Sequence, residues 1–303
     1  MILTNACVKK EKLPEDEFSI STIENINKII MTDKSGEAII LNKKQKEWTI
    51  NNKFKVWDRQ IEYTLEVMKD IRIKSSVSQN RMDYVIKNIA TTGVKIEIFE
   101  KNKRIRSYYI GGNTSDHLGT YMIVENAQKA YIIHIPTRRP GILNPKYGIE
   151  GIYINESIWR EPITISIPSE NIQKVEVQNL INNNQSFILN MSEETLTDNQ
   201  NNLIKMDIRG YNLFSSFFTK LECGSYKPNI KKSNLILIRK IFITNNNKTD
   251  SLLIYDKNKS QKIHKKSNTE IENMYATWNN SDLVIIQKKI FNNLLINLDE
   301  IKE

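Results

Sequence analysis

Short alternating apolar segments recur along this chain, and they recur twice in the same order. Residues 94–99 read VKIEIF, apolar and polar by turns, the pattern of a strand with one buried face. Residues 26–32 and 38–41 flank Asp33-Lys34-Ser35-Gly36, a hairpin turn signal, and residues 47–50 add a third short strand. Residues 171–175 match 25–29 at an offset of 146 (171 minus 25), and residues 186–190 take the part of 38–42. Farther on, residues 274–278 and 283–286 echo 121–124 and 130–133, at an offset of 153 (274 minus 121). The preserved order predicts an α+β protein of two similar halves, an internal duplication, each with antiparallel strands and one or two packed helices.

The helices are read from their apolar stripes. Over residues 58–69, Ile61, Leu65 and Met68 fall at i, i+4 and i+7, with Asp58 as N-cap or first-turn acid. Over residues 80–92, Met82, Val85, Ile86 and Ile89 share a face, and Gly93 stands where a C-cap glycine belongs. In the second half, residues 207–221 carry Phe214, Phe217, Phe218 and Leu221, and residues 291–301 read as a closing helix. Five of the seven prolines lie between Pro136 and Pro168, which marks a long surface connection. The expected division is a tether over 1–17, a first repeat over 18–136, a Pro/Gly-rich connection over 137–168 and a second repeat over 169–303.

The chain carries 44 basic and 35 acidic residues, a net charge of +9. A basic chain attracts anionic partners. Here the lysines are interleaved with acids, and only residues 227–240 and 257–266 are locally basic. Most aromatics sit inside apolar patterns instead of alternating with cations in a groove, so nucleic acid is not an expected partner. Two cysteines, Cys7 and Cys223, exclude a disulfide framework and a zinc site built from cysteine pairs.

Recognisable catalytic equipment is missing from the sequence. It contains no G-x-S-x-G elbow, no G-x-G-x-x-G fingerprint and no phosphate loop. The nearest candidate is the glycine loop from Gly111 and Gly112 through Asp116 and His117 to Gly119. Its amides could cradle an anion, and the Asp116–His117 pair could do acid–base work or hold a metal; equally, it is a glycine-hinged strand connection. His134 reads as a polar group at a strand end and His264 as a solvated loop residue. No metal and no cofactor is expected. Arg138, Arg139, Trp159 and Arg160 flank the proline-rich connection and are of types favoured at interfaces, which makes them a candidate partner surface. The alternative is that Trp159 anchors the connection to the core.

The opening MILTNAC is apolar and ends in small residues before Cys7; a charged stretch follows. This resembles the end of a bacterial lipoprotein signal, with Cys7 as the lipid-attachment residue, but it is shorter than a complete signal. If Met1 is the true start, the address is cytoplasmic.

The chain resembles an uncharacterised bacterial family, the domain of unknown function numbered four-three-four-zero. The residues that carry the likeness are 17–20 (EFSI), 26–29 (INKI), 47–54 (EWTINNKF), 85–90 (VIKNIA), 93–98 (GVKIEI), 108–112 (YYIGG) and 118–122 (LGTYM), with 134–136 (HIP), 141–143 (GIL) and Trp159-Arg160. The likeness covers most of the first half and is weaker in the second. It implies a membrane-anchored envelope protein, related to components of transport systems of the gliding-motility type. No catalytic residues are established for the family, so none carry over. The chain departs from the pattern at its incomplete signal and at the more basic residues 137–140.

Taken together, these readings lead to a non-enzymatic envelope lipoprotein that faces the periplasm and serves as an accessory or scaffold for an envelope assembly, with envelope proteins as partners. A module binding glycan or peptide at the glycine loop is the alternative. A hydrolase using Asp116 and His117 is a weaker one.

Overall fold

The computed structural model describes residues 17–136, 141–206, 212, 214, 216–257 and 273–303. The chain divides into two units, Met1–Glu161 and Pro162–Glu303, each with its own apolar core.

The first unit is built on a nine-stranded antiparallel sheet. Its elements are β1 (Ile26–Thr32), β2 (Ala38–Lys44), β3 (Glu47–Ile50), β4 (Phe54–Lys55), α1 (Asp58–Asp70), β5 (Arg72–Ser76), α2 (Gln79–Thr92), β6 (Val94–Glu100), β7 (Lys103–Asn113), β8 (Thr120–Val124) and β9 (Ala130–His134). The strands lie in the order β4-β3-β2-β1-β6-β7-β8-β9-β5. Alternation in sequence becomes alternation in burial: Val94, Ile96 and Ile98 face the core, while Lys95, Glu97 and Phe99 face outward. Helix α1 covers the core face through Ile61, Leu65 and Met68. Helix α2 covers the opposite face, and only over β7, β8 and β9, where Met82, Val85 and Ile89 pack with Ile123 and Ala130. Asp58 is a first-turn acid and not a cap; Trp57 holds the N-cap position. Gly93 is not a left-handed cap either, since its φ is −72°. A Cβ there would stand 2.5 Å from the Ile89 carbonyl oxygen, so close approach is what requires glycine.

Residues 141–161 overturn the expected connection over 137–168, because they belong to the first unit. A 3-10 turn (Asn144–Tyr147), the hairpin β10 (Ile149–Glu150) with β11 (Tyr153–Ile154), and α3 (Glu156–Trp159) form a strap across the core face. Leu143, Tyr147, Ile149, Ile154 and Trp159 are all core residues. Thr64 of α1 donates to the Lys146 carbonyl at 2.8 Å, and the Trp57 amide donates to the Trp159 carbonyl at 2.8 Å. Gly148 and Gly151 serve tight turns within the packed strap, with φ of +66° and +64°.

The second unit has β12 (Thr164–Ile165), β13 (Ile172–Asn179), β14 (Phe187–Asn190), β15 (Thr195–Asp198), β16 (Leu203–Ile204), β17 (Leu221–Glu222), β18 (Leu235–Asn245), β19 (Lys248–Lys257), β20 (Asn273–Trp278) and β21 (Val284–Gln287). Its main sheet runs β16-β15-β14-β13-β18-β19-β20-β21, and β12 pairs with β17 apart from it. Of the helix expected over 207–221, residues 207–211, 213 and 215 lie outside the described residues. At its far end Leu221 is in β17, where it pairs with Ile165. The closing helix expected over 291–301 is broken into a helical turn at Lys288–Phe291 and 3-10 turns at Asn292–Leu295 and Leu298–Glu300. The Leu294 and Ile296 carbonyls accept from the buried Arg239 guanidinium instead of continuing a helical ladder.

The fold is thus a mixture of helices and strands in which large antiparallel sheets dominate, larger than the strand sets the α+β reading anticipated. The two main sheets share one strand order over eight positions. Both carry a register shift at one offset, Ile26/Lys28 and Ile172/Lys174 (172 minus 26 is 146). At the ninth position, beside β21, the Gly224 amide donates to Ile285, the Ile285 amide donates to Ser225, and Tyr226 bridges to Val284. The offset of 153 at residue 121 is corrected to 152: Tyr121 faces α2, whereas Met122 and Met274 (274 minus 122) both face a core.

Candidate functional site

The glycine loop was the sequence's best small-molecule candidate, and its parts serve packing. Gly111 and Gly112 extend β7 and do not form a loop. A Cβ on Gly111 would stand 2.5 Å from Ile89 Cγ1, so this glycine lets α2 lie on the sheet. On the other face, the Gly111 carbonyl accepts from the strap's Asn144 at 3.1 Å. A Cβ on Gly119 would meet Ile132 Cγ2 at 2.5 Å. Thr120, fully buried, accepts the Leu143 amide at 2.9 Å, and Tyr108 and Tyr147 share a buried hydroxyl contact of 3.0 Å. Burial pushes both phenols above their ordinary range.

Asp116 is committed to its own turn. Its carboxylate accepts from the Thr114 hydroxyl and, at 2.9 Å, from the Leu118 amide. The Thr114 hydrogen bond, then the Leu118 amide, hold its carboxyl below the usual value, with Lys74 at 3.6 Å contributing less. His117 is exposed, with φ of +56°, at the turn's left-handed position. The pair closes a turn, with Lys74 of β5 reaching Asp116 from outside it. His134 pairs with Arg72 at the end of β9, and burial, then Lys74, hold its imidazole below the usual value.

Trp159 and Arg160 do not form a partner surface. Trp159 is completely buried and Arg160 is 7% exposed. The Arg160 guanidinium lies 3.6 Å from the Phe54 ring centroid and 3.8 Å from Glu156, so it seals the β4 edge, where it bridges to Val56. Arg138, Arg139 and Cys7 lie outside the described residues. Cys223 is buried, and burial pushes its thiol up to about 12, the opposite of activation. Among the described residues no three His, Cys, Asp or Glu side chains gather as a metal ion requires. None of the described helices is long and apolar enough to cross a membrane.

What remains accessible is part of the outward face of each main sheet, since α2 covers the first over β7, β8 and β9, and Tyr255, Tyr275 and Leu283 are buried in an apolar cluster of the second. In the first unit, Lys95 reaches Glu125 at 2.7 Å and Glu97 at 3.3 Å, while Arg104 reaches Glu97 at 2.5 Å and Glu125 at 2.8 Å. Hydrogen bonding from Lys95 holds Glu125 below the usual carboxylate value. Phe99 lies next to this network, with the Lys28 ammonium 4.9 Å from its ring centroid. In the second unit, Lys174, Glu176, Gln178, Phe242, Thr244 and Thr249 line a shallow groove on the same side of the sheet. Register gives the two places nearby positions in their sheets without making the aromatics equivalent: Lys28 pairs with Phe99 and Lys174 with Thr244, while Phe242 stands two pairs farther on, opposite Glu176, where the first sheet has Glu97 opposite Ile30. The polar members of VKIEIF point to this face in the sequence; the correspondence between the sheets does not, because it depends on strand order.

Comparison with family models, with curated proteins and with solved structures found no match to this chain.

Proposed function

We propose that the chain is a non-enzymatic cell-envelope lipoprotein, tethered through Cys7, that acts as a scaffold or accessory protein of an envelope assembly. Its two units are read as products of an internal duplication. The outward sheet faces, around Phe99 and around Phe242, are the docking surfaces for an envelope protein.

One observation carries this reading: both units repeat strand order and bulge position, and on β6 and β18 both leave outward positions half-buried. A half-buried sheet face with an aromatic among paired charges is suited to a broad protein contact. The envelope address rests on the resemblance and on the pattern around Cys7 alone. The glycan- or peptide-binding reading and the hydrolase reading lose support, because Gly111 and Gly119 face packed side chains and Asp116 is held by its turn.

Mass spectrometry of the native protein, with cross-linking pull-down from intact envelopes, tests the reading. A diacylglyceryl thioether on Cys7 and a reproducible envelope partner are expected. An unmodified Cys7 in a soluble fraction with no captured partner overturns it.

A further inference from the structure

The second unit exposes apolar side chains where its core strands run past the core. The inward residues of β13 end at Asn179, which is buried. The next two residues, Leu180 and Ile181, are 48% and 75% exposed. The Leu180 amide donates to Ile238 of β18 at 3.0 Å, two residues from Ile236, which is itself 45% exposed. These three side chains sit at the end of the sheet where β13 leaves and β18 enters, and they add nothing to the core.

Cations stand at the same end. Lys231 and Lys232 lie in the turn that feeds Leu235, the first residue of β18, and both are exposed. Neither forms an ion pair among the described residues. Lys257 pairs with Leu235 across the β18–β19 ladder, and opposite Ile236 stands Asp256, whose carboxylate accepts the Lys257 amide at 2.7 Å. The acids at this end are engaged, Asp299 with Lys302 and Glu300 with the Asn297 amide. Exposed aliphatic side chains beside Lys231 and Lys232 match an anionic lipid surface, in which apolar groups enter the acyl boundary and ammonium groups meet phosphate.

We propose that this end of the second unit is a membrane contact for anionic phospholipid, with Leu180, Ile181 and Ile236 inserting and Lys231 and Lys232 pairing with headgroups. The contact is independent of lipidation at Cys7 and goes beyond the scaffold reading.

The test uses the full chain carrying Cys7→Ser, so that no anchor can form. It is sedimented with vesicles of phosphatidylglycerol and phosphatidylcholine, and with vesicles of phosphatidylcholine alone. Binding to the anionic vesicles only, weakening as salt is raised, is expected. Lys231→Gln with Lys232→Gln should lower partitioning roughly thirtyfold, about fivefold per lysine. Ile181→Ser with Ile236→Ser should lower it as well. Because Lys231 and Lys232 are exposed turn residues, their variant should keep the parent's melting profile and carries the test if the isoleucine variant does not fold. Absence of sedimentation, binding unchanged by the lysine pair, or capture by single-stranded DNA in place of vesicles overturns the proposal. Acyl analysis of native Cys7 reads the anchor separately, so either result can fail without the other.

Discussion

A Cβ on Gly111 would stand 2.5 Å from Ile89 Cγ1, whereas one on Gly112 would meet Asn88 Oδ1 at 3.6 Å. The two glycines are neighbours, look alike in sequence and both face α2, yet only at the first does the helix approach too closely for a Cβ. Gly111→Ala should destabilise by about 1–3 kcal/mol through overpacking, and Gly112→Ala by less than about 0.5 kcal/mol. Urea unfolding of the two variants checks the contrast; equal losses would contradict this account of Gly111. Cys223 gives a second residue-scale expectation. The folded chain keeps its thiol proton to about 12, while the unfolded chain releases it near about 8.5. A raised folded value means the stabilisation is complete below the unfolded pKa and is lost as pH rises toward the folded one. Cys223→Ala should therefore flatten the alkaline limb of a Tm-against-pH profile while leaving the slope below pH ~8 unchanged. An unaltered alkaline limb would show that this thiol is not the group responsible.

At the scale of elements, each unit is closed by its own final segment. In the first, the Asp33 carboxylate accepts the Ile154 amide at 3.2 Å; in the second, Asn179 (33 plus 146) donates to Asn297 Oδ1 at 3.1 Å. Both residues are buried. The ends also pair along like edges, Arg160 with Val56 and Lys302 with Met206. Arg239 is the main clamp of the second segment: it donates to Leu294, Ile296 and Asn297 at 3.0, 2.6 and 2.9 Å. Burial pulls its guanidinium down to about 10, so it remains charged at neutral pH. Arg239→Met should cost about 3 kcal/mol, and hydrogen exchange should rise in residues 291–301 before it rises in β18. Uniform exchange across the unit would argue against a separate clamp. The longer strands and the helices α1 and α2 of the first unit were legible because periods of two and of 3.6 are written directly in apolar spacing. The strap was not: Leu143, Tyr147, Ile149, Ile154 and Trp159 follow neither period, and proline with glycine marks turns whether a segment is packed or solvated.

At the scale of the whole molecule, the order of strands was legible, because hairpin signals and alternating runs fall in sequence twice. Their sheet order was not, since a run shows its period and not its neighbour. The candidate site fared worse. Glycines, an aspartate and a histidine crowd residues 111–119 for reasons of packing and turn geometry, which resemble a binding loop when only residue types are visible. The outward faces were legible as polar positions and acquire meaning only through the shared strand order. The central claim is that these two faces, around Phe99 and Phe242, dock an envelope partner. A photo-cross-linking residue placed at Phe99, at Phe242 and, as a control, at His117 tests it in intact envelopes. The account predicts that the first two positions capture the same protein and that His117 captures none. Capture at His117 alone, or at none of the three in a folded chain, would contradict it.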